Sequence, residues 1–241
     1  MNRFISFAEP LRELLIKIVD SQELHAKWLN TLSFLENCGA RKIAACEHPT
    51  LVKEEMLKHA AEEFRHAHHL KRQIERVSYF QPLDTYALPH MLGGISTLRY
   101  LTTLDVKTSR ILKEAGLSKK SIHEAAYLLV TYAIELRAEE LYPIYDEVLR
   151  KAGSRVTVKS ILLEEKEHLK EMREGLQQLS SGVIYAEQIC AIESNLCKAW
   201  LDGVAKSILH SNCVNGDREG SLIGKSSNFP HQIDKHFSVA R

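Results

Sequence analysis

Apolar side chains recur every three or four residues along most of this chain, which is the spacing of a helix with one buried face. Alternating runs, which are typical of strands, are almost absent. The pattern therefore predicts an all-α fold. The predicted helices span about residues 9–19, 21–46, 50–77, 94–115, 121–151, 156–179 and 183–210.

The helical pattern fits a single domain over residues 1–210, with a core bundle at about 21–179. A chain of this length can bury one large core. From Ser211 onward the sequence is polar, rich in Gly and Ser, and without a helical period. We therefore predict a flexible C-terminal tail over residues 211–241.

Three of the predicted helices carry a glutamate in the middle of their apolar stripe: Glu36, Glu63 and Glu165. Trp28 and Ile43, for example, lie on either side of Glu36 at helical spacing. A carboxylate that is buried without a partner costs several kcal/mol or more. Each glutamate therefore predicts a partner, and converging glutamates predict cations.

The sequence Glu-x-x-His occurs twice in such stripes, as Glu63 with His66 and as Glu165 with His168. Residues three apart lie on one helix face, so each pair can direct a carboxylate oxygen and an imidazole nitrogen at one ion. Oxygen and imidazole donors suit iron or manganese, and the lack of thiolates argues against a structural zinc site. The two motifs therefore predict a buried dinuclear metal site.

Each Glu-x-x-His pair follows a lone glutamate by about one helical hairpin. Glu36 precedes the first pair, and either Glu135 or Glu139 precedes the second. A four-residue offset is about 6 Å of helix rise, so Glu139 would lie more nearly level with Glu165 if the chain turns near Gly153. Both stay candidates, one as a ligand and the other as a neighbouring base.

This repeat of a lone glutamate and Glu-x-x-His resembles the ferritin-like di-iron carboxylate superfamily over about residues 21–179. The segment that begins at Glu135 is similar to the lone-glutamate helix of bacterioferritins, with the small Ala138 three positions after the ligand. The resemblance implies a ferritin-like four-helix bundle with additional helices and two iron ions, manganese being the alternative. The six implied ligands are Glu36, Glu63, His66, Glu135, Glu165 and His168.

Two further side chains are candidates near this site. His59 precedes Glu63 by four residues, and the resulting His-x3-Glu-x2-His run resembles that of arylamine N-oxygenases, in which the additional imidazole binds iron. A histidine at the edge of the core is the alternative. Tyr142 follows Glu135 by seven residues, near enough to donate a hydrogen bond or to be oxidised. We therefore predict Glu139 and Tyr142 as catalytic, with His59 and Glu139 as additional candidate ligands.

Composition narrows the function classes. Lys and Arg number 32 against 31 Asp and Glu, and this balance recruits neither nucleic acid nor an anionic membrane. Residues 1–19 are too interrupted by charge for a signal peptide or a membrane span. Five cysteines without a Cys-x-x-Cys pair are typical of a reducing compartment. We therefore predict a cytoplasmic protein with no nucleic-acid or membrane partner.

Together these features predict an O₂-activating oxidoreductase, an oxygenase or oxidase of a small organic substrate that is served by an electron-donor protein. The alternatives are a ferroxidase or peroxide-scavenging protein of the rubrerythrin kind, and a metal-free helical binding module. A homodimer is compatible with the sequence.

Overall fold

The computed structural model describes residues 4–48, 50–79, 81 and 83–219, with residues 212–219 described through their backbone alone. Within these residues the chain is helical and contains no strand, which confirms the all-α prediction. Each of these helices is too short or too polar to cross a lipid bilayer. In chain order they are α1 Ala8–Asp20, α2 Gln22–Cys46, α3 Glu54–Gln73, α4 Ile95–Glu114, α5 Lys119–Lys151, α6 Lys159–Gln178 and α7 Gly182–Glu219, with short 3₁₀ turns at Ile74–Arg76 and Leu88–His90.

Local sequence sets several of the helix boundaries. The Ser21 hydroxyl accepts a hydrogen bond from the backbone N–H of Leu24 and so caps the start of α2. Ser118 caps α5 in the same way, through the N–H of Ser121. Gly116 has a φ of 83°, in the left-handed region that favours glycine, and it turns the chain after α4.

Helix α7 is longer than the sequence pattern predicts. It continues beyond residue 210 and reaches Glu219, so the first part of the predicted tail, residues 211–219, is helical. No proline occurs within α7, and a helix that is already nucleated adds residues at small cost. The remainder of the predicted tail, residues 220–241, lies outside the described residues.

Helices α2 and α3 pack together as one hairpin, and α5 and α6 as another. In the first hairpin Asn30 contacts Lys71, while Ser33 donates to the carbonyl of Ala67. Residue numbers therefore fall along α3 as they rise along α2, so the helices are antiparallel. The hairpins meet through contacts of α3 with α6 and of α2 with α5, and side chains of all four helices reach one interior.

The remaining helices cover this interior from outside. Helices α4 and α7 pack against each other and against α5, and α1 covers another part of α5. Trp28 of α2 stacks on Trp200 of α7 with ring centroids 5.6 Å apart, and Tyr100 of α4 also stacks on Trp200. These aromatic contacts fix α4 and α7 along one side of the interior.

Candidate metal centre

Seven titratable side chains from four helices meet in the shared interior. Spacings of four and three residues place the three contributed by α3 on one helix face. All six ligands implied by the sequence resemblance belong to the set, and His59 joins them. The residues are Glu36 on α2, His59, Glu63 and His66 on α3, Glu135 on α5, and Glu165 and His168 on α6.

Four of them, His59, Glu63, Glu135 and His168, form what we call the histidine-rich group. One donor atom from each lies within 4.8 Å of the others. His59 Nε2 is 3.2 Å from Glu135 Oε1, and His168 Nδ1 is 3.4 Å from Glu63 Oε1. All four side chains are buried. Two imidazole nitrogens and two carboxylate oxygens thus lie close enough together to bind one cation.

The second set, Glu36, Glu63, His66 and Glu165, is the carboxylate-rich group, and its donor atoms meet the same 4.8 Å limit. His66 Nδ1 lies 3.1 Å from Glu165 Oε1 and 3.9 Å from Glu63 Oε1. The hydroxyl of Tyr142, a predicted catalytic residue, donates to Glu36 Oε1. Because Glu63 belongs to both groups, its carboxylate joins them.

The outer nitrogen of each motif imidazole is held by a carboxylate of the other motif. His66 Nε2 lies 2.6 Å from Glu164 Oε2, and His168 Nε2 lies 2.8 Å from Glu62 Oε2. Such a partner fixes the ring and leaves Nδ1 facing the interior. Sequence reasoning missed both partners, although their signal was present because each motif reads Glu-Glu-x-x-His.

His59 has an outer partner of a different kind. Its Nδ1 lies 3.2 Å from the hydroxyl of Tyr127 on α5, while its Nε2 points at the carboxylates of the histidine-rich group. When Nδ1–H donates to the phenol oxygen, Nε2 keeps its lone pair and can act as a ligand. The tyrosine therefore orients His59 as a third imidazole of the centre.

Several donor atoms of the two groups are buried without a well-directed hydrogen bond among the described residues. His66 Nδ1 and Glu165 Oε1, for example, lie 3.1 Å apart but are poorly aligned for one. Buried polar atoms are nearly always paired, because an unpaired one loses its water and gains nothing in return. A cation within each group would supply the missing interaction. The unpaired atoms are Nδ1 of His66, Nδ1 of His168, Oε2 of Glu135 and Oε1 of Glu165.

The pKa values of the buried carboxylates also indicate that these groups require positive charge nearby when they are ionised. Burial, with the charge of Glu63, raises the pKa of Glu135 to about 8. Burial and neighbouring carboxylates also raise the pKa values of Glu36 and Glu165 well above their usual range. Burial opposes ionisation of Glu63 too, but the close approach of the surrounding imidazoles outweighs it and lowers the pKa of Glu63. Without cations, most of these buried carboxylates must therefore be neutralised by protons.

A largely apolar cavity of about 90 Å³ adjoins the centre, between α2, α4, α5 and α7. The carboxylates of Glu36, Glu63, Glu135 and Glu165 form part of its wall, and the described lining includes none of the three imidazoles. The apolar part of the wall comes from Leu32, Ile43, Leu101, Val130, Ile134 and Leu141.

Glu139 lies outside both groups. Its side chain is 43% exposed, and its Oε2 lies 3.7 Å from Arg173 Nη2 at the surface. Four residues advance a helix by about 6 Å and rotate it by about 40°, so Glu139 cannot share the level at which Glu135 enters the interior. The structure thus brings Glu135, and not Glu139, among the converging side chains.

Comparison of the chain with protein-family models, with curated proteins and with solved structures finds no match.

Proposed function

We propose that the chain is a dinuclear metal enzyme of the ferritin-like kind. In this proposal α2, α3, α5 and α6 form a four-helix bundle around two iron ions, or two manganese ions, and α1, α4 and α7 are additional helices. The order of donors supports it: a lone glutamate and then Glu-x-x-His occur on α2 and α3, and again on α5 and α6.

One observation carries the proposal. Four carboxylates are packed against three imidazoles in the interior, and several of their donor atoms have no well-directed hydrogen bond. The four ionised carboxylates would carry four negative charges, which two divalent cations balance and one cation does not. Nitrogen and oxygen donors without a thiolate suit iron or manganese. The residues present therefore fit a pair of such ions.

Two bound ferrous ions would supply the electrons and open positions that O₂ activation requires. The side chains of this protein do the positioning. Glu63 would serve both ions, and Glu62 and Glu164 fix the imidazoles that would bind them. Burial and the charge of Glu36 raise the pKa of Tyr142, so its hydroxyl stays protonated and donates to that carboxylate. The cavity places a largely apolar wall beside the carboxylates.

The reaction that we propose is oxidation of a small organic molecule by O₂. In an oxygenase, one oxygen atom enters the substrate and the other leaves as water, with two electrons from an electron-donor protein; an oxidase takes its electrons from the substrate itself. The alternative is a ferroxidase or peroxide-scavenging protein. The apolar cavity beside the carboxylates favours an organic substrate over Fe(II) or peroxide.

Metal content is the first test. Wild-type protein that is loaded anaerobically with Fe(II) and then freed of excess metal should retain about two irons per chain, and the Glu63→Ala/Glu165→Ala variant should retain little. Glu167→Ala removes an exposed carboxylate from the same helix as Glu165 and should load like the wild type. A wild type without stoichiometric metal would overturn the proposal and leave a metal-free helical module.

Oxygen consumption by the Fe(II)-loaded protein is the second test. Consumption that depends on an added organic compound, with an oxidised organic product, supports the oxygenase or oxidase. Consumption that yields only Fe(III) and reduced oxygen species supports the ferroxidase instead. Stoichiometric iron without any oxygen consumption would remove both activities.

A further inference from the structure

The polar side chains in the cavity wall are almost all engaged within the protein. Arg137 binds Glu193 through two hydrogen bonds of 2.9 Å, and the hydroxyl of Tyr100 donates to the same carboxylate. Lys42 of α2 pairs with Asp105 of α4. Each cationic group in the wall thus already has a carboxylate partner, and an anionic ligand would have to displace it.

Two further polar groups of the wall are also occupied. Tyr142 donates to Glu36, and the indole N–H of Trp200 donates to Thr97 Oγ1 at 3.1 Å. Neither can serve a second acceptor without losing its first. Apart from the carboxylates of the metal centre, these side chains therefore present mainly their apolar surfaces to the cavity.

Thr131 on α5 is the exception. Its side chain lines the cavity, and its hydroxyl has no hydrogen-bond partner among the described residues. A threonine within a helix commonly donates to the carbonyl four residues earlier, as Thr108 does to Leu104 O at 2.9 Å. Thr131 precedes Glu135 by four residues, so its hydroxyl lies on the same helix face, about 6 Å along the axis from a proposed ligand.

We propose that this cavity binds a small, uncharged, mostly hydrocarbon molecule with one hydrogen-bonding atom, and that the Thr131 hydroxyl recognises that atom. Binding of this molecule does not depend on the proposed function; only the statement that it is the substrate rests on that function. The cavity measures about 90 Å³, several times the roughly 10–15 Å³ that a single water requires, so it has room for a small organic molecule. A monocyclic phenol or a short alcohol is of this size and chemistry.

Three probes of similar shape test the proposal: toluene, phenol and benzoate. Each is titrated into the purified full-length protein, and the dissociation constant is measured by protein-observed NMR, in which the methyl shifts of Val130 and Ile134 locate the site. The measurement is made on wild type, on Thr131→Val, which keeps the shape without the hydroxyl, and on Thr131→Ser, which keeps the hydroxyl.

We expect the ratio of phenol affinity to toluene affinity to fall by roughly threefold to tenfold in Thr131→Val, because one net hydrogen bond is worth that factor. The ratio should be retained in Thr131→Ser. An unchanged ratio in Thr131→Val overturns the role of the hydroxyl. Failure of wild type to bind either neutral probe overturns the cavity as a ligand site, whether or not the variants fold.

Benzoate tests the charge of the ligand. Weaker binding of benzoate than of phenol supports an uncharged ligand, whereas tighter binding would mean that Lys42 or Arg137 recognises an anion and would overturn the proposal. The titrations need neither metal nor turnover. Two irons per chain with no probe binding would therefore refute this inference alone, and probe binding without stoichiometric metal would refute the proposed function alone.

Discussion

The histidine-rich and carboxylate-rich groups share Glu63 but differ in their remaining side chains. The first has two imidazoles, of which His59 is oriented by Tyr127. The second has one imidazole and three carboxylates, of which Glu36 accepts a hydrogen bond from Tyr142. The chain repeats a lone glutamate and Glu-x-x-His almost symmetrically. The asymmetry comes from His59, which lies outside the repeat, and from Glu63, which both groups share although its counterpart Glu165 belongs to only one.

The cavity also distinguishes the carboxylates of the site from its imidazoles. Carboxylates from both groups reach its wall, whereas the described lining contains no imidazole of either group. Imidazole suits iron, and carboxylate also suits manganese. In the proposed enzyme, we therefore expect the histidine-rich position to hold iron more firmly and the carboxylates in the cavity wall to face the substrate.

Removing the shared residue should have the largest effect. Glu63→Ala deprives both groups of a ligand, so metal content should fall from about two ions per chain to near zero by elemental analysis. Glu55→Ala, an exposed glutamate on the same helix, should leave it unchanged. Retention of one ion by Glu63→Ala would show that this carboxylate serves a single position.

Removing Glu135 should empty only the histidine-rich position. Glu135→Ala should therefore retain about one ion per chain, and Glu139→Ala, the matched exposed glutamate one turn away, should retain about two. The comparison is made by elemental analysis after anaerobic loading. Loss of metal from the Glu139 variant but not from the Glu135 variant would reverse the assignment of the α5 ligand.

The third prediction concerns the additional imidazole. If His59 is a ligand, His59→Ala should weaken the histidine-rich position by roughly 100-fold, the upper end of what loss of an outer hydrogen-bond partner costs. The carboxylate-rich position should keep its affinity. Stepwise Mn(II) titration measures both, and Tyr127→Phe, which removes only the outer partner, should have a smaller effect. Unchanged metal affinity with lower thermal stability would make His59 a core residue.

Glu62 and Glu164 should each affect the metal position whose histidine lies on the other helix, because each carboxylate contacts that histidine. Glu62→Gln weakens the hold on His168 and should lower the affinity of the histidine-rich position by roughly 10- to 100-fold. Glu164→Gln should do the same to the carboxylate-rich position through His66. The same Mn(II) titrations separate the two steps. Equal weakening of both steps by either variant would contradict the crossed pairing.

A change of pH acts on the histidine-rich position without removing any side chain. The metal-free Glu135 carboxyl has a pKa of about 8, so at pH 7 it must release a proton before it binds a cation. Mn(II) affinity at the histidine-rich position should therefore rise by up to about tenfold per pH unit between about pH 6 and pH 8 and then level off.

The same raised pKa has an opposite consequence for the metal-free protein. Its folded-state value exceeds the ordinary 4.5, so the stability that Glu135 contributes is present at low pH and is lost as pH rises from about 4.5 to about 8. Urea unfolding across this range measures the loss. A flat profile in both the urea and the Mn(II) experiments would contradict the assignment.

The local part of the centre could be predicted from sequence, because helical period alone places Glu63 with His66 and Glu165 with His168. The choice between Glu135 and Glu139 could not, since it depends on how far α5 advances before the chain turns into α6. The position of one helix along the axis of its neighbour is set by how the two pack, and the apolar pattern of one helix does not determine it.

Other features required contacts between distant segments. The crossing of Glu62 to His168 joins α3 to α6, and the free hydroxyl of Thr131 shows only when its surroundings are known. The length of α7 was missed for a different reason: beyond Ser211 no apolar period marks the helix, although nothing in that segment breaks it.

The only two tryptophans of the chain, Trp28 and Trp200, are buried and stacked on each other, and Trp200 lines the cavity. The tryptophan fluorescence of the protein therefore arises from a single place beside the candidate metal centre. A quenching ion and a molecule in the cavity would each alter this emission directly, and unfolding would separate the pair. Tryptophan emission, without an attached label, would thus report metal loading, ligand occupancy of the cavity and unfolding of the same interior.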